Sequence, residues 1–197
     1  MSDFPQWTLL CGVVLVALVG AGCSLTRAGY QSPKYSLKER LGEVEVREYP
    51  ELVLAETPSR LSSEGRDGGF MRLFRFISKG NARAQALPMT TPVFYRGVGE
   101  AQSMAFVMES GASLEGVPAP LDEAVKLKRR DAGTFAVLRL RNGRDERARA
   151  EAVEKMRGKL KDSVWREEGN PEFAFYDPPW IPSFLKKNEL VWRVSRK

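Results

Sequence analysis

Two segments with apolar residues at every third or fourth position lie about 80 residues apart in this chain, each set between pairs of short segments that read as strands, the first of which, Val44 to Tyr49, alternates apolar and charged residues. A helix and a strand cannot share one periodicity, so this alternation fixes an order of elements before composition is considered. In the first helical stretch, Asp67 to Ser78, residues Phe70, Leu73, Phe74 and Ile77 recur at i, i+3, i+4 and i+7. That spacing predicts a helix capped by Asp67, packed on a sheet through those four side chains, and stopped at Lys79-Gly80-Asn81. The second stretch, Asp145 to Lys161, turns Ala148, Ala152, Val153, Met156 and Leu160 inward. Strands are predicted at Val44 to Tyr49 and Leu52 to Thr57 before the first helix, and at Thr91 to Arg96 and Ser103 to Glu109 after it, with a turn at Gly97-Val98-Gly99. Val125 to Arg130 and Phe135 to Arg141 precede the second helix, and Glu172 to Tyr176 and Leu190 to Ser195 follow it. The expectation is an α+β fold made of two ββαββ halves related by an old duplication. Each half alone would expose one sheet face, so the halves are expected to combine into a barrel-like, antiparallel or mixed β-structure with one helix per half packed outside.

The body is preceded by a segment of a different kind. From Trp7 to Gly22 the chain carries no charge and is dominated by Leu, Val and Gly. This is short for a spanning helix of about 20 residues and suits the core of a signal peptide. Val19-Gly20-Ala21-Gly22-Cys23 resembles a bacterial lipoprotein box, in which the chain is cut before a cysteine that receives lipid, so Cys23 is the expected attachment point. Gly20 stands where that pattern has Leu, and the leading residues carry Asp3 rather than Lys or Arg. The alternative is an uncleaved single anchor, with Arg27, Lys34, Lys38 and Arg40 holding the body on the cytoplasmic side. The expected division is therefore residues 1–23 as signal and anchor, 24–34 as linker and 35–197 as one domain, held at a membrane of the cell envelope.

Composition narrows the chemistry. The chain contains no histidine, which removes Ser-His-Asp and Cys-His catalysis, histidine-based zinc sites and the commonest axial ligand of haem. Its two cysteines, Cys11 and Cys23, both belong to the N-terminal stretch, so the body has no disulfide framework. Lys and Arg outnumber Asp and Glu by 31 to 25, and Asp3 is the sole charge before Cys23, so the part beyond it carries about +7. Such a surface favours anionic partners. Glu45 and Glu48, three apart on a strand, point to opposite faces and form no acid–base pair, and no phosphate loop or nucleophile elbow appears. The expectation is a binding protein without enzyme activity, and one that does not bind nucleic acid.

Four blocks, in order, carry a family resemblance: Glu45-Val46-Arg47-Glu48-Tyr49-Pro50, Gly69-Phe70-Met71-Arg72-Leu73-Phe74-Arg75-Phe76-Ile77, Met89-Thr90-Thr91-Pro92-Val93, and Tyr176-Asp177-Pro178-Pro179-Trp180-Ile181-Pro182-Ser183-Phe184-Leu185-Lys186-Lys187-Asn188-Glu189. In these the chain resembles the SOUL haem-binding family. The resemblance implies a two-half, barrel-like fold and an association with haem or another tetrapyrrole.

A tetrapyrrole is a flat apolar disc with two propionates, so its site needs an aromatic platform edged by cations. Two places supply both residue types: Phe70, Met71 and Phe74 with Arg72, Arg75 and Lys79 on or beside the first helix, and Trp180, Phe184, Lys186 and Lys187 in the loop before the last strand. Met71 and Arg75, four apart, are adjacent on one flank of the helix. Pro178, Pro179 and Pro182 restrict the loop and preorder Trp180, as a platform or as a plug for the end of the sheet. Without histidine, iron is left with Met, Tyr, Lys or water, or the ring binds through its faces and propionates alone, which the composition favours. The expected ligand is thus a hydrophobic anionic small molecule, haem or a relative, held without histidine and without a protein metal site. The rival expectation is an envelope structural or protein-interaction module that keeps the fold without the ligand.

Overall fold

The computed structural model describes residues 29–59, 68–97, 102–178 and 180–197. The anchor segment with Cys23, the expected cap Asp67, Val98 and Gly99 of the expected turn, and Pro179 lie outside these residues.

Among the described residues ten strands form one antiparallel sheet: β1 (Ser36–Leu41), β2 (Val44–Tyr49), β3 (Leu52–Pro58), β4 (Val93–Arg96), β5 (Ser103–Val107), β6 (Lys126–Arg130), β7 (Gly133–Leu140), β8 (Trp165–Glu167), β9 (Glu172–Phe175) and β10 (Asn188–Arg196). Helix α1 (Gly69–Ile77) follows β3, and α2 (Glu146–Lys161) follows β7. The strand order is β1-β2-β7-β10-β9-β4-β5-β3-β6, with β8 added to one end of β10. Period-two alternation produces two faces. On the outer face, Val44, Val46, Ala136, Leu138, Leu190 and Trp192 pack under Ala152, Met156 and Leu160 of α2. Further along that face Val53, Ala55, Tyr95, Met104 and Phe106 pack under Leu73, Phe76 and Ile77 of α1. The inner face carries Leu52, Leu54, Phe94, Val107, Val137 and Val191.

The α+β class is observed; closure into a barrel is not. The path ends at β1 and β6, which do not pair with each other. Both edge strands carry exposed cations, Lys38 and Arg40 on β1 and Lys126, Lys128 and Arg129 on β6, as edge strands that avoid further pairing commonly do. Nor do two equal ββαββ halves account for the sheet, because β1 and β8 stand outside that scheme. With those two set aside, exchanging β2 with β6, β3 with β7, β4 with β9 and β5 with β10 leaves every neighbour relation unchanged.

Helix α2 is built as its sequence dictates. Asp145 caps it, its carboxylate accepting from the Ala148 N–H at 2.8 Å, and Ala152, Met156 and Leu160 are buried. Helix α1 differs from expectation in its facing. Its buried residues are Gly69, Leu73, Phe76 and Ile77, whereas Phe70 and Phe74 are 41% and 42% exposed. Leu73 and Ile77 belong to either stripe. Gly69, which has no side chain to hold off the sheet, tips the choice toward Phe76. Beyond Ser78, Gly80 folds back so closely that a Cβ there would meet the Arg75 carbonyl at 2.6 Å. Asn81, buried, closes the end by donating to the carbonyls of Phe76 (3.1 Å) and Gln85 (2.7 Å).

Ahead of β1, Gln31 accepts from the Thr91 N–H at 2.9 Å, and Ser32 meets the Thr91 hydroxyl at 2.7 Å. Tyr35 then packs on Tyr49, ring centroids 5.3 Å apart. Residues 31–35 are thereby tied to the body.

Candidate functional site

On α1 the rejected stripe becomes a surface. The Phe70 and Phe74 rings lie within 11° of parallel with centroids 6.1 Å apart, and Phe70 also sets its edge against Phe106 at 5.4 Å. Met71, 47% exposed, adjoins them, and Arg75 and Lys79 are exposed beside it. Arg72 serves the fold instead, donating from Nε to Thr57 Oγ1 (3.0 Å) and from Nη2 to the Pro58 carbonyl (2.5 Å). Three large apolar side chains are thus left in water on one short helix, with Arg75 and Lys79 exposed on the same helix and just after it.

The second expected group lies elsewhere. Helix α1 rests on β3 and β5, while the loop joins β9 to β10 and sits beside the β7–α2 turn. Trp180 and Phe184 are exposed, the latter on a single 3-10 turn from Ser183 to Leu185. Lys186 lines a cavity of about 60 Å³ with Asn142, Arg144, Phe175, Asp177 and Ser183. Partial burial, aided by Arg144 and opposed by Asp177, pulls its pKa below the ordinary lysine value. Lys187 is taken up internally: its Nζ lies 3.9 Å above the Tyr176 ring and 3.6 Å from Glu189 Oε1. Among the described residues no ring contact joins this loop to α1, and the ten residues named from the sequence lie in two separate places.

The inner face holds chemistry that the sequence did not announce. Arg47, buried, donates to both oxygens of Glu189 (Nη1 to Oε2 at 3.2 Å, Nη2 to Oε1 at 3.1 Å), to Glu45 from Nε (2.8 Å) and to the Tyr49 hydroxyl (3.1 Å). The Tyr176 hydroxyl donates to Glu189 at 2.7 Å, and the Tyr35 ring covers Arg47 at 4.3 Å. Burial pushes the Glu189 carboxyl up, but the Arg47 hydrogen bond and the charges of Lys187 and Arg47 outweigh it, so its pKa falls below the usual 4.5. At the other end Glu56 accepts from Lys128 (2.5 Å) and Arg96 (2.8 Å), and Arg96 also donates to Glu172 at 2.7 Å. Between the two networks the face is apolar and packed. The space under residues 31–33, beside Leu52 and Val107, is about 10 Å³, which holds no more than one water.

Sequence reasoning also missed an open groove of about 670 Å³ lined by Ala82 and Arg83 and by Leu114, Val117, Pro118, Val125 and Leu127. Most of it is formed by the irregular β5–β6 connection, where no periodicity could have indicated it. No cluster of three or more metal-ligating side chains occurs among the described residues, and none of their helices is long and apolar enough to cross a membrane.

Comparison with known proteins places this geometry in context. The family model described as SOUL heme-binding protein matches residues 30–193. No curated protein sequence matches the chain. Among solved structures, the crystal structure of the EcmrR C-terminal domain superposes with a TM-score of 0.55 at 14% identity, covering 83% of this chain and 99% of that one. A structure described as a hydrolase from Listeria innocua gives 0.57 at 11% identity, over 78% and 92% of the two chains. An uncharacterized conserved protein from Listeria innocua gives 0.54 at 12%, again over 78% and 92%. At such identities these structures establish likeness of fold alone.

Proposed function

This chain belongs to the SOUL heme-binding protein family, and from that premise we propose that it binds haem or a related tetrapyrrole on the exposed face of α1, without histidine. The observation that carries the reading is the exposure of Phe70, Met71 and Phe74 on a helix whose other apolar side chains are buried. The parallel rings of Phe70 and Phe74 offer a stacking surface, held in place by Phe106, and Arg75 and Lys79 are placed to meet propionates. Haem, when bound, supplies redox and gas-ligand chemistry of its own. The protein's part is to hold the disc and shield one face, and Met71 is the thioether in reach of that face. The apolar stretch before residue 24 and the cysteine that ends it support anchoring of this body at a membrane of the cell envelope through Cys23, or through an uncleaved helix, close to lipid-soluble ligand. The neighbour symmetry of the strand order supports descent from two copies of one ββαββ unit.

The test is optical titration of the untagged protein with hemin and with protoporphyrin IX. Saturable one-to-one uptake that weakens at least tenfold in Phe70→Ser/Phe74→Ser supports the reading. Uptake that never saturates, or that the double substitution leaves unchanged, removes it. A second reading, a partner-binding module that keeps the fold without the ligand, has one observation in its favour: Trp180 and Phe184 are 76% and 81% exposed on a proline-restricted loop away from α1. Loss of a co-purifying partner in Trp180→Ala/Phe184→Ala, with no coloured ligand in the wild-type protein, would support that alternative.

A further inference from the structure

Arg130 ends the edge strand β6, yet its side chain is only 5% exposed and lies on the inner face. Its guanidinium carbon stands 4.1 Å from the Phe135 ring centroid, 4.8 Å from that of Phe94 and 5.9 Å from that of Tyr49. One carboxylate completes the enclosure: Nη2 is 2.8 Å from Glu172 Oε2, while Glu172 Oε1 is held by Arg96. Despite that proximity, Nε, Nη1 and Nη2 of Arg130 and Oε2 of Glu172 are all buried without a hydrogen bond of proper geometry. A guanidinium has five N–H groups, and ordinary arginine sites satisfy most of them with carbonyls or carboxylates. Here the cation is held by three ring faces and one charge, with no directed acceptor.

That is the recognition chemistry of an aromatic cage, which selects for positive charge and compact shape rather than for a donor pattern. We propose that the box formed by Tyr49, Phe94, Phe135 and Glu172 is a site for one small organic cation, an alkylguanidinium or a quaternary ammonium, and that Arg130 is its built-in occupant. The site is separate from the tetrapyrrole surface and of opposite charge preference. While Arg130 is in place the box is full, so such a cation enters the native protein only by displacing it. Two further facts agree. The neighbouring arginine, Arg193, lies 4.7 Å from the Phe135 ring but is committed to the carbonyls of Asp131 (2.7 Å) and Ala132 (3.4 Å), so it walls the box without filling it. Gly133 leaves the space that Arg193 needs, since a Cβ there would lie 2.4 Å from its Nη1. Once Arg130 is shortened, Glu172 Oε2 becomes a buried carboxylate oxygen facing three rings with no partner, and a mobile cation is the group that satisfies both.

The experiment uses the full chain with Arg130→Ala and follows thermal unfolding in ethylguanidinium, in tetramethylammonium and in ethylurea, the neutral relative of the first. A saturable rise in the unfolding midpoint of several degrees is expected for the variant with either cation, little or none for the wild type, and none with ethylurea. Adding Glu172→Gln to Arg130→Ala is expected to weaken the apparent cation affinity about tenfold or more. Equal effects of ethylurea and ethylguanidinium, an equal rise in the wild type, or no rise at all would overturn the proposal. If Arg130→Ala does not fold unaided, its refolding yield decides the matter. A yield restored by ethylguanidinium and not by ethylurea supports the site, and a yield that neither or both restore refutes it.

Discussion

Replacing Arg47 by Met removes one partner of a pair that is almost wholly out of water: Arg47 is 7% exposed and Glu189 3%. Met keeps most of the apolar stem, so the loss is mainly electrostatic. The Glu189 carboxylate then keeps the Tyr176 hydroxyl at 2.7 Å and Lys187 at 3.6 Å but loses both arginine hydrogen bonds. Stranding one member of a buried pair costs about 3–5 kcal/mol, and the surviving partners place this case near the lower end. Glu189→Met alone is milder, about 2 kcal/mol, because Arg47 keeps Glu45 at 2.8 Å. The double variant is expected to cost well below the sum of the two single losses, giving a coupling of about 2–3 kcal/mol. The sign with pH follows from which effect governs Glu189. In the wild type its pKa is lowered, so its contribution to stability is present above the ordinary carboxylate range and lost as pH falls. In Arg47→Met burial dominates, the folded pKa rises above the unfolded one, and the stability contribution is instead lost as pH rises. Urea unfolding at about pH 7 and about pH 4 should therefore show a wide gap between wild type and variant at the first and a narrower one at the second. A gap below about 1 kcal/mol at neutral pH, or the same gap at both, would refute this account of the network.

Other substitutions separate fold from surface. Phe76→Ala, which opens the core under α1, should cost about 3–5 kcal/mol in chemical denaturation, whereas Trp180→Ala should change stability by less than about 0.5 kcal/mol. The Glu56 carboxyl is raised by burial but lowered further by Lys128 and Arg96, and its net pKa is depressed like that of Glu189. Both stabilise above the unfolded carboxylate value of 4.5 and lose that contribution below it. The thermal midpoint should accordingly fall on acidification through that range and do so less steeply in Glu56→Gln, as scanning calorimetry across the interval would register.

Much of this architecture was written in local patterns. Asp145 and an apolar stripe define α2, alternation defines β2, and short apolar runs mark β3, β7 and β10. The facing of α1 was not legible, because Leu73 and Ile77 fit two stripes and the decision rests on Gly69 meeting the sheet. Strand β1 escaped notice because Ser36–Leu41 is exposed along nearly its whole length and shows no alternation; its ladder with β2 holds it. Strand β8 has three residues, too few for any period. The open ends of the sheet were legible only in retrospect, as cations on both edge strands. As for the candidate site, residue types pointed to α1 and to the β9–β10 loop, but their separation in space depends on strand order. The inner-face pairs are hidden for another reason: Arg47 and Glu189 are 142 positions apart, and the charges in alternating strands read as solvent-facing until the fold sets them against each other.

The placement of the ligand on α1 is tested most directly by the methyl resonances of the methionines. With methyl-labelled protein and zinc protoporphyrin, the Met71 methyl should move strongly upfield under the ring current of the bound disc. Those of the buried Met104, Met108 and Met156 should stay in place. A Met71 signal that does not move at saturating porphyrin, or a shift confined to another methionine, would contradict the assignment of the site to this helix.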